Sequence, residues 1–149
     1  MDVQKDFADL CSLLNARKVE YLVVGGYAVA FHGAPRFTGD LDLLVRPDIA
    51  HVQGMLDALG DFGFPAGDVA AEYILDRNTI LQLGRIPVQV HVMTRITGVD
   101  WARAWRSREA GAYGGVPLFY IGRQALIENK RATGRPKDIA DVTALEGSS

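Results

Sequence analysis

Apolar residues recur at helical spacing near the start of the chain. Phe7, Leu10, Cys11 and Leu14 fall on one stripe and predict a helix over about Val3 to Arg17, with Asp2 as its cap. Cys11 on that stripe is expected to be a buried small hydrophobe. The continuous apolar run Tyr21 to Val24 predicts a strand, which a diglycine turn at Gly25 and Gly26 closes. A short helix, Tyr27 to His32, then ends at Gly33. In the next strand alternate side chains face opposite ways. Asp40 and Asp42 therefore point to one side, and Leu41, Leu43 and Val45 to the other. Arg46-Pro47-Asp48 stops that strand, and Asp48 can cap a helix whose apolar face is Ile49, Val52, Met55, Leu56 and Leu59. Glycines 60 and 63 end it.

The second half of the chain is less regular. Ala70 to Leu75 reads as a short strand or turn, and Thr79 to Leu83 with Pro87 to Met93 as a hairpin joined at Gly84-Arg85. Val99 to Arg106 reads as a helix. Its Trp101 and Trp105, at i and i+4, are expected to pack, and Arg103, Arg106 and Arg108 to face solvent. Tyr113 to Pro117 reads as a turn and Val116 to Tyr120 as an edge strand. Helices over Arg123 to Thr133 and Lys137 to Leu145 flank Gly134-Arg135-Pro136, and residues 147–149 are expected as a disordered tail. Helices alternating with strands in this order predict a single α/β (α+β) domain over residues 1–146. Its core would be a mixed central β-sheet of about five strands flanked by helices.

Composition narrows the class. With 149 residues, 48% of them hydrophobic, the chain can bury a substantial core. A net charge of −2 gives no global attraction for nucleic acid. One cysteine permits neither an internal disulfide nor a cysteine zinc site. Charged residues at Asp2, Lys5 and Asp6 interrupt any leader-like apolar run, and no run approaches the roughly 20 residues of a membrane span. A cytoplasmic protein without membrane contact is expected.

The chemistry concentrates between Tyr21 and Val45. Two carboxylates side by side on one strand repel, and such a pair calls for a cation or a proton between them. Oxygen-only ligands suit a hard divalent ion such as Mg²⁺, which completes its shell with phosphate oxygens and water. The diglycine ahead of them lets backbone N–H groups approach an anion at a helix start. Arg36 and Thr38, in the loop between, are candidates for phosphate or substrate contact.

Gly25-Gly26, thirteen residues, then Asp40-Leu41-Asp42 resembles the signature of the DNA polymerase β-like nucleotidyltransferase superfamily. The longer run from Gly25 through His32, Gly33, Arg36 and Thr38 to Asp42 is similar to a small prokaryotic branch. That branch includes minimal antitoxin-type and abortive-infection-type nucleotidyltransferases. The run from Ile121 through Lys130, Arg135, Lys137 and Asp138 to Asp141 resembles that branch's ending, so the likeness covers nearly the whole domain. It implies a nucleoside triphosphate (NTP) with its phosphates against the glycine turn. It also implies divalent metal, Mg²⁺ or Mn²⁺, held by Asp40, Asp42 and a third carboxylate from a later neighbouring strand. Nucleoside monophosphate would pass to a hydroxyl of a protein, an RNA end or a small molecule. Lys130 is implied as a contact to the triphosphate. The domain's small size leaves little surface for a full acceptor pocket, so a partner or a second copy of the chain is expected to complete it, and the resemblance implies a toxin-type protein or RNA as partner.

The later strand departs from that pattern. Val90-His91-Val92-Met93-Thr94 places His91 where the third acid is expected, with Gln89 on the same face. An imidazole can ligate a divalent ion, but it adds no negative charge and favours softer ions than Mg²⁺. Two readings stay open. His91 completes a catalytic metal site with Asp40 and Asp42, or the site has decayed and the domain acts by binding nucleotide or a partner protein.

Overall fold

The computed structural model describes residues 3–34, 39–64, 69–77, 80–85 and 88–147. The chain runs α1 (Val3–Ala16), β1 (Tyr21–Val24), α2 (Gly25–Phe31), β2 (Leu41–Val45), α3 (Ile49–Phe62), α4 (Ala71–Arg77), β3 (Leu81–Arg85) and β4 (Val88–Met93). It continues with α5 (Trp101–Ser107), β5 (Glu109–Tyr113), β6 (Val116–Tyr120), α6 (Arg123–Thr133) and α7 (Pro136–Gly147). The strands form one sheet in the order β3-β4-β2-β1-β6-β5. β2 pairs antiparallel with β1 and parallel with β4, and β6 runs parallel to β1, so the sheet is mixed as expected.

All four residues of β1 are buried, and so are four of the five in β2. A strand buried on both faces reads as a continuous apolar run, which is why Tyr21 to Val24 shows no alternation. Leu22, Leu41 and Leu43 form the middle of the core with Leu10 and Leu14 of α1, Met55 and Leu59 of α3 and Leu126 of α6. Cys11 is fully buried, as expected, and burial pushes its thiol up to about 11. Asp48 caps α3 by accepting from His51 N–H at 2.8 Å, and Gly63 closes that helix at φ +104°.

Four expectations are corrected. The sheet has six strands rather than about five, because Glu109–Tyr113 pairs antiparallel with β6. Glu-Ala-Gly-Ala-Tyr has low intrinsic strand preference, and it becomes a strand through its neighbour. β6 is therefore interior rather than an edge. The connection is a two-residue turn at Gly114 and Gly115, both at positive φ (+54° and +83°), the geometry that a tight hairpin demands. Residues 71–77 are helical (α4) and bury Ala71 and Ile74, so the expected short strand or turn over Ala70 to Leu75 is wrong. Spacing of three residues is a helical signal hidden in a short segment. Finally, α2 begins at Gly25 itself, so the diglycine opens the helix instead of preceding it. Asp2, Arg36, Thr38, Ser148 and Ser149 lie outside the described residues.

The C-terminal helices are locked by a buried ionic cluster. Lys130 Nζ lies 3.5 Å from Asp138 Oδ1 and 3.3 Å from Asp141 Oδ2, and Arg135 Nε donates to Asp138 Oδ2 at 2.7 Å. Burial alone would raise the Asp138 carboxyl. Hydrogen bonds from Arg135 and Thr133, with the charges of Lys130 and Arg135, outweigh it and hold the group well below the usual range. A carboxyl depressed in the folded state stabilises above its unfolded value, near pH 4, and loses that contribution as pH falls further. Asp138→Asn leaves Lys130 short of its partner and is expected to cost about 3 kcal/mol. Thermal melting at pH 7 should show a fall of about 6–12 °C, a gap that narrows when both proteins are melted below pH 4.

Candidate active site

β2 and β4 set the site. Their parallel register puts Asp42 directly opposite His91, so the two side chains stand on the same face of neighbouring strands. His91 Nδ1 lies 2.9 Å from Asp42 Oδ1 and pulls that carboxyl downward, although among the described residues no well-aligned hydrogen bond reaches this buried oxygen. On its other side His91 Nε2 meets Gln89 Oε1 at 3.1 Å. The backbone N–H of Gln89 donates to Asp40 Oδ1 at 3.2 Å. Asp40, Asp42, His91 and Gln89 are thus one connected group across two strands.

Gly25 forms the opposite wall. It stands at φ +67°, and a Cβ there would sit 2.0 Å from Asp42 Oδ2, so no side chain fits between helix start and carboxylate. Burial raises the Asp42 carboxyl above its ordinary range. The nearby Asp40 adds to that, while His91 and Lys130 pull in the other direction without cancelling it. An ionised Asp42 is therefore strained by its surroundings, and a cation would relieve it.

These residues open into a cleft of about 650 Å³. Asp40, Asp42, His91 and Gly25 line it together with Arg95, Lys130, Arg135 and Lys137. Cations and carboxylates thus share the lining, with Lys130 and Arg135 also paired to Asp138 and Asp141; such a mixed lining suits an anion that arrives with a metal ion, although the chain as a whole carries −2. Lys130 belongs to both systems, since it lines the cleft and anchors Asp138 and Asp141. Gly26 is buried inside α2 and is not among the lining residues.

Among the described residues, no group of three His, Cys, Asp or Glu side chains is arranged to hold a metal by itself. The orphaned oxygen of Asp42, with Asp40 beside it and a glycine cradle against it, fits an ion that shares its shell with phosphate oxygens.

Sequence reasoning missed Arg95. His91 and Met93 of β4 and Arg95, two residues beyond the strand's end, all line the cleft, and closeness in sequence to His91 was the available signal. Asn129 and Thr133 of α6 also line it; nothing in their local sequence marks them.

No protein-family model and no curated protein sequence matches the chain. Solved structures do. A lincosamide antibiotic adenylyltransferase, LnuA, with lincomycin bound, superposes at TM-score 0.58 and 14% identity, over 97% of each chain. The antibiotic-resistance factor ANT(2'')-Ia superposes at 0.59 and 13% identity, over 99% of this chain and 85% of the other. An antigenic nucleotidyltransferase-like protein from Paracoccidioides brasiliensis reaches 0.56 at 14% identity, over 97% and 75%. The chain has the nucleotidyltransferase fold. At such identities the likeness is one of fold, and the chemistry has to be argued from this chain's own cleft.

Asp42→Asn separates stability from function. A carboxyl raised in the folded state contributes stability below its unfolded pKa and loses it as pH rises through the folded value. The amide removes a buried charge, so the variant should melt above wild type at pH 7, with the difference shrinking toward pH 4.

Proposed function

We propose that the domain transfers a nucleoside monophosphate from an NTP to an acceptor hydroxyl. The observation that carries this reading is the shared cleft lining, in which Asp40 and Asp42 meet Arg95, Lys130, Arg135 and Lys137 beside the side-chain-free wall at Gly25. Asp40 and Asp42 would hold the divalent ion, with His91 as a third contact. When bound, that ion supplies Lewis-acid stabilisation of charge on the phosphoryl oxygens. Gly25 keeps the wall beside Asp42 free of any side chain. Arg95, Lys130, Arg135 and Lys137 bind and orient the polyphosphate, so that the α-phosphorus faces the acceptor. The acceptor oxygen forms a bond to that phosphorus while the bond to the pyrophosphate oxygen breaks. Arg36 and Thr38 belong to this reading as further phosphate contacts, on the likeness of the run between Gly25 and Asp42.

Three acceptor classes offer such a hydroxyl. The fold neighbours named for antibiotics support a small molecule. The likeness of the Gly25–Asp42 and Ile121–Asp141 runs to antitoxin-type and abortive-infection-type proteins supports a protein side chain or an RNA end, in a toxin–antitoxin or phage-defence setting. Calorimetric titration with ATP, CTP, GTP and UTP, each with and without Mg²⁺ or Mn²⁺, tests the core of the reading. Metal-dependent binding of at least one nucleotide is expected, weakened at least tenfold in Asp40→Ala. Absence of binding under every condition contradicts it.

A second reading has its own support. His91 lies against Asp42, where it competes with a cation for the same oxygen, as in a decayed site that only binds. His91→Asp distinguishes the two. Appearance of activity from an inert wild type establishes decay. Loss of a measurable wild-type activity establishes histidine as a working ligand.

A further inference from the structure

Gln89 ties together the polar group on β2 and β4. Its backbone N–H donates to Asp40 Oδ1 at 3.2 Å, and its side-chain Oε1 lies 3.1 Å from His91 Nε2. Gln89 and His91 share a face of β4 by the two-residue repeat of a strand. Asp42 stands directly opposite His91 in the parallel register. The imidazole therefore lies between an amide oxygen and a carboxylate.

Its two ring nitrogens have different surroundings. Nε2 has a well-aligned partner in Gln89 Oε1. Nδ1 is 2.9 Å from Asp42 Oδ1, but among the described residues no well-aligned hydrogen bond reaches that oxygen. A neutral imidazole has one N–H and one bare lone pair, and the hydrogen bond made by one nitrogen decides which is which. An amide oxygen can only accept. The proton therefore belongs on Nε2, and Nδ1 keeps its lone pair beside the carboxylate. Two acceptors so close repel each other unless something positive joins them. Cis ligands of an octahedral ion, each about 2.1 Å from it, stand roughly 3 Å apart. Asp42 Oδ1 and His91 Nδ1 already have that separation.

We infer that Gln89 is a positioning residue: its Oε1 holds the proton of His91 on Nε2 and so makes Nδ1 a metal ligand beside Asp42 Oδ1. The inference rests on the nucleotidyl-transfer reading and names the atom through which His91 serves it. Gln89 acts through the tautomer of His91, as the outer hydrogen-bond partners of ligating histidines generally do. A histidine held in this form does not donate to Asp42. It then leaves that oxygen to a cation, which a decayed site would not do.

The test is a long-range proton–nitrogen NMR correlation on protein labelled with ¹⁵N at its histidines. It is recorded at pH 8, where an ordinary imidazole is neutral. The chain has three histidines, and His91→Asn assigns the signal. Wild type should show His91 in the Nε2–H form alone. Gln89→Leu should populate the Nδ1–H form as well, and Gln89→Glu, which restores an acceptor oxygen, should return it to Nε2–H. Gln82→Leu removes the amide directly opposite His91 on β3 and should leave the tautomer unchanged. Calorimetry on the same proteins should show Mn²⁺–ATP binding about tenfold weaker in Gln89→Leu and recovered in Gln89→Glu. The wild-type spectrum decides even without a variant, since a His91 that carries its proton on Nδ1 overturns the inference. A tautomer that Gln89→Leu does not alter, or that Gln82→Leu alters equally, overturns it too and leaves the transfer reading standing. A wild type in the Nε2–H form that binds neither Mg²⁺–ATP nor Mn²⁺–ATP defeats the transfer reading, and the ligand role of Nδ1 with it.

Discussion

One carboxylate governs the architecture of this site. Asp42 is carried by a strand buried almost throughout, its Oδ1 receives no well-aligned hydrogen bond among the described residues, and its Oδ2 fills the space where a side chain on Gly25 would be. A buried carboxylate is costly unless something positive comes to it. Within the protein the nearest candidate is His91, placed by the β2–β4 register, and it relieves the cost only in part. The rest of the site follows from that unsettled charge. Asp40 deepens it, the glycine helix start makes room around it, and the cations after β4 and along the C-terminal segment favour an anion that would arrive with its own metal.

The C-terminal helices show how stability and function share residues. Lys130 is held by Asp138 and Asp141 in a nearly closed ionic cluster and still faces the cleft. A lysine fixed this way loses little freedom when it meets a phosphate, because its ordering accompanies folding. Arg135 is more exposed and touches Asp138 from outside, so the same carboxylate orients two of the cleft's cations.

Much of this was legible in the amino-acid order because local physics dictated it. The stripe Phe7, Leu10, Leu14 and the capped α3 helix follow from period and cap chemistry. The shared face of Asp40 and Asp42 follows from the two-residue repeat of a strand. What could not be read depended on distant partners. Glu109–Tyr113 has no strand signal of its own and becomes the sheet edge only against β6. The placing of His91 beside Asp42 is a register between strands nearly fifty residues apart, expected from the family resemblance and not from any local pattern. The basic lining is assembled from β4's end and both C-terminal helices, so Arg95 is prominent only once those segments meet. Gly26, drawn from the diglycine signature, is buried in the first turn of α2.

The central claim is that Asp42 is a half-buried charge awaiting a cation. Carbon-13 NMR of the aspartate carboxylates, titrated with and without Mg²⁺–ATP and assigned with Asp42→Asn, measures this directly. The account predicts that Asp42 ionises above the ordinary carboxylate range in the free protein and falls below that value when Mg²⁺–ATP is bound. An Asp42 that titrates in the ordinary range and does not respond to Mg²⁺–ATP would contradict it.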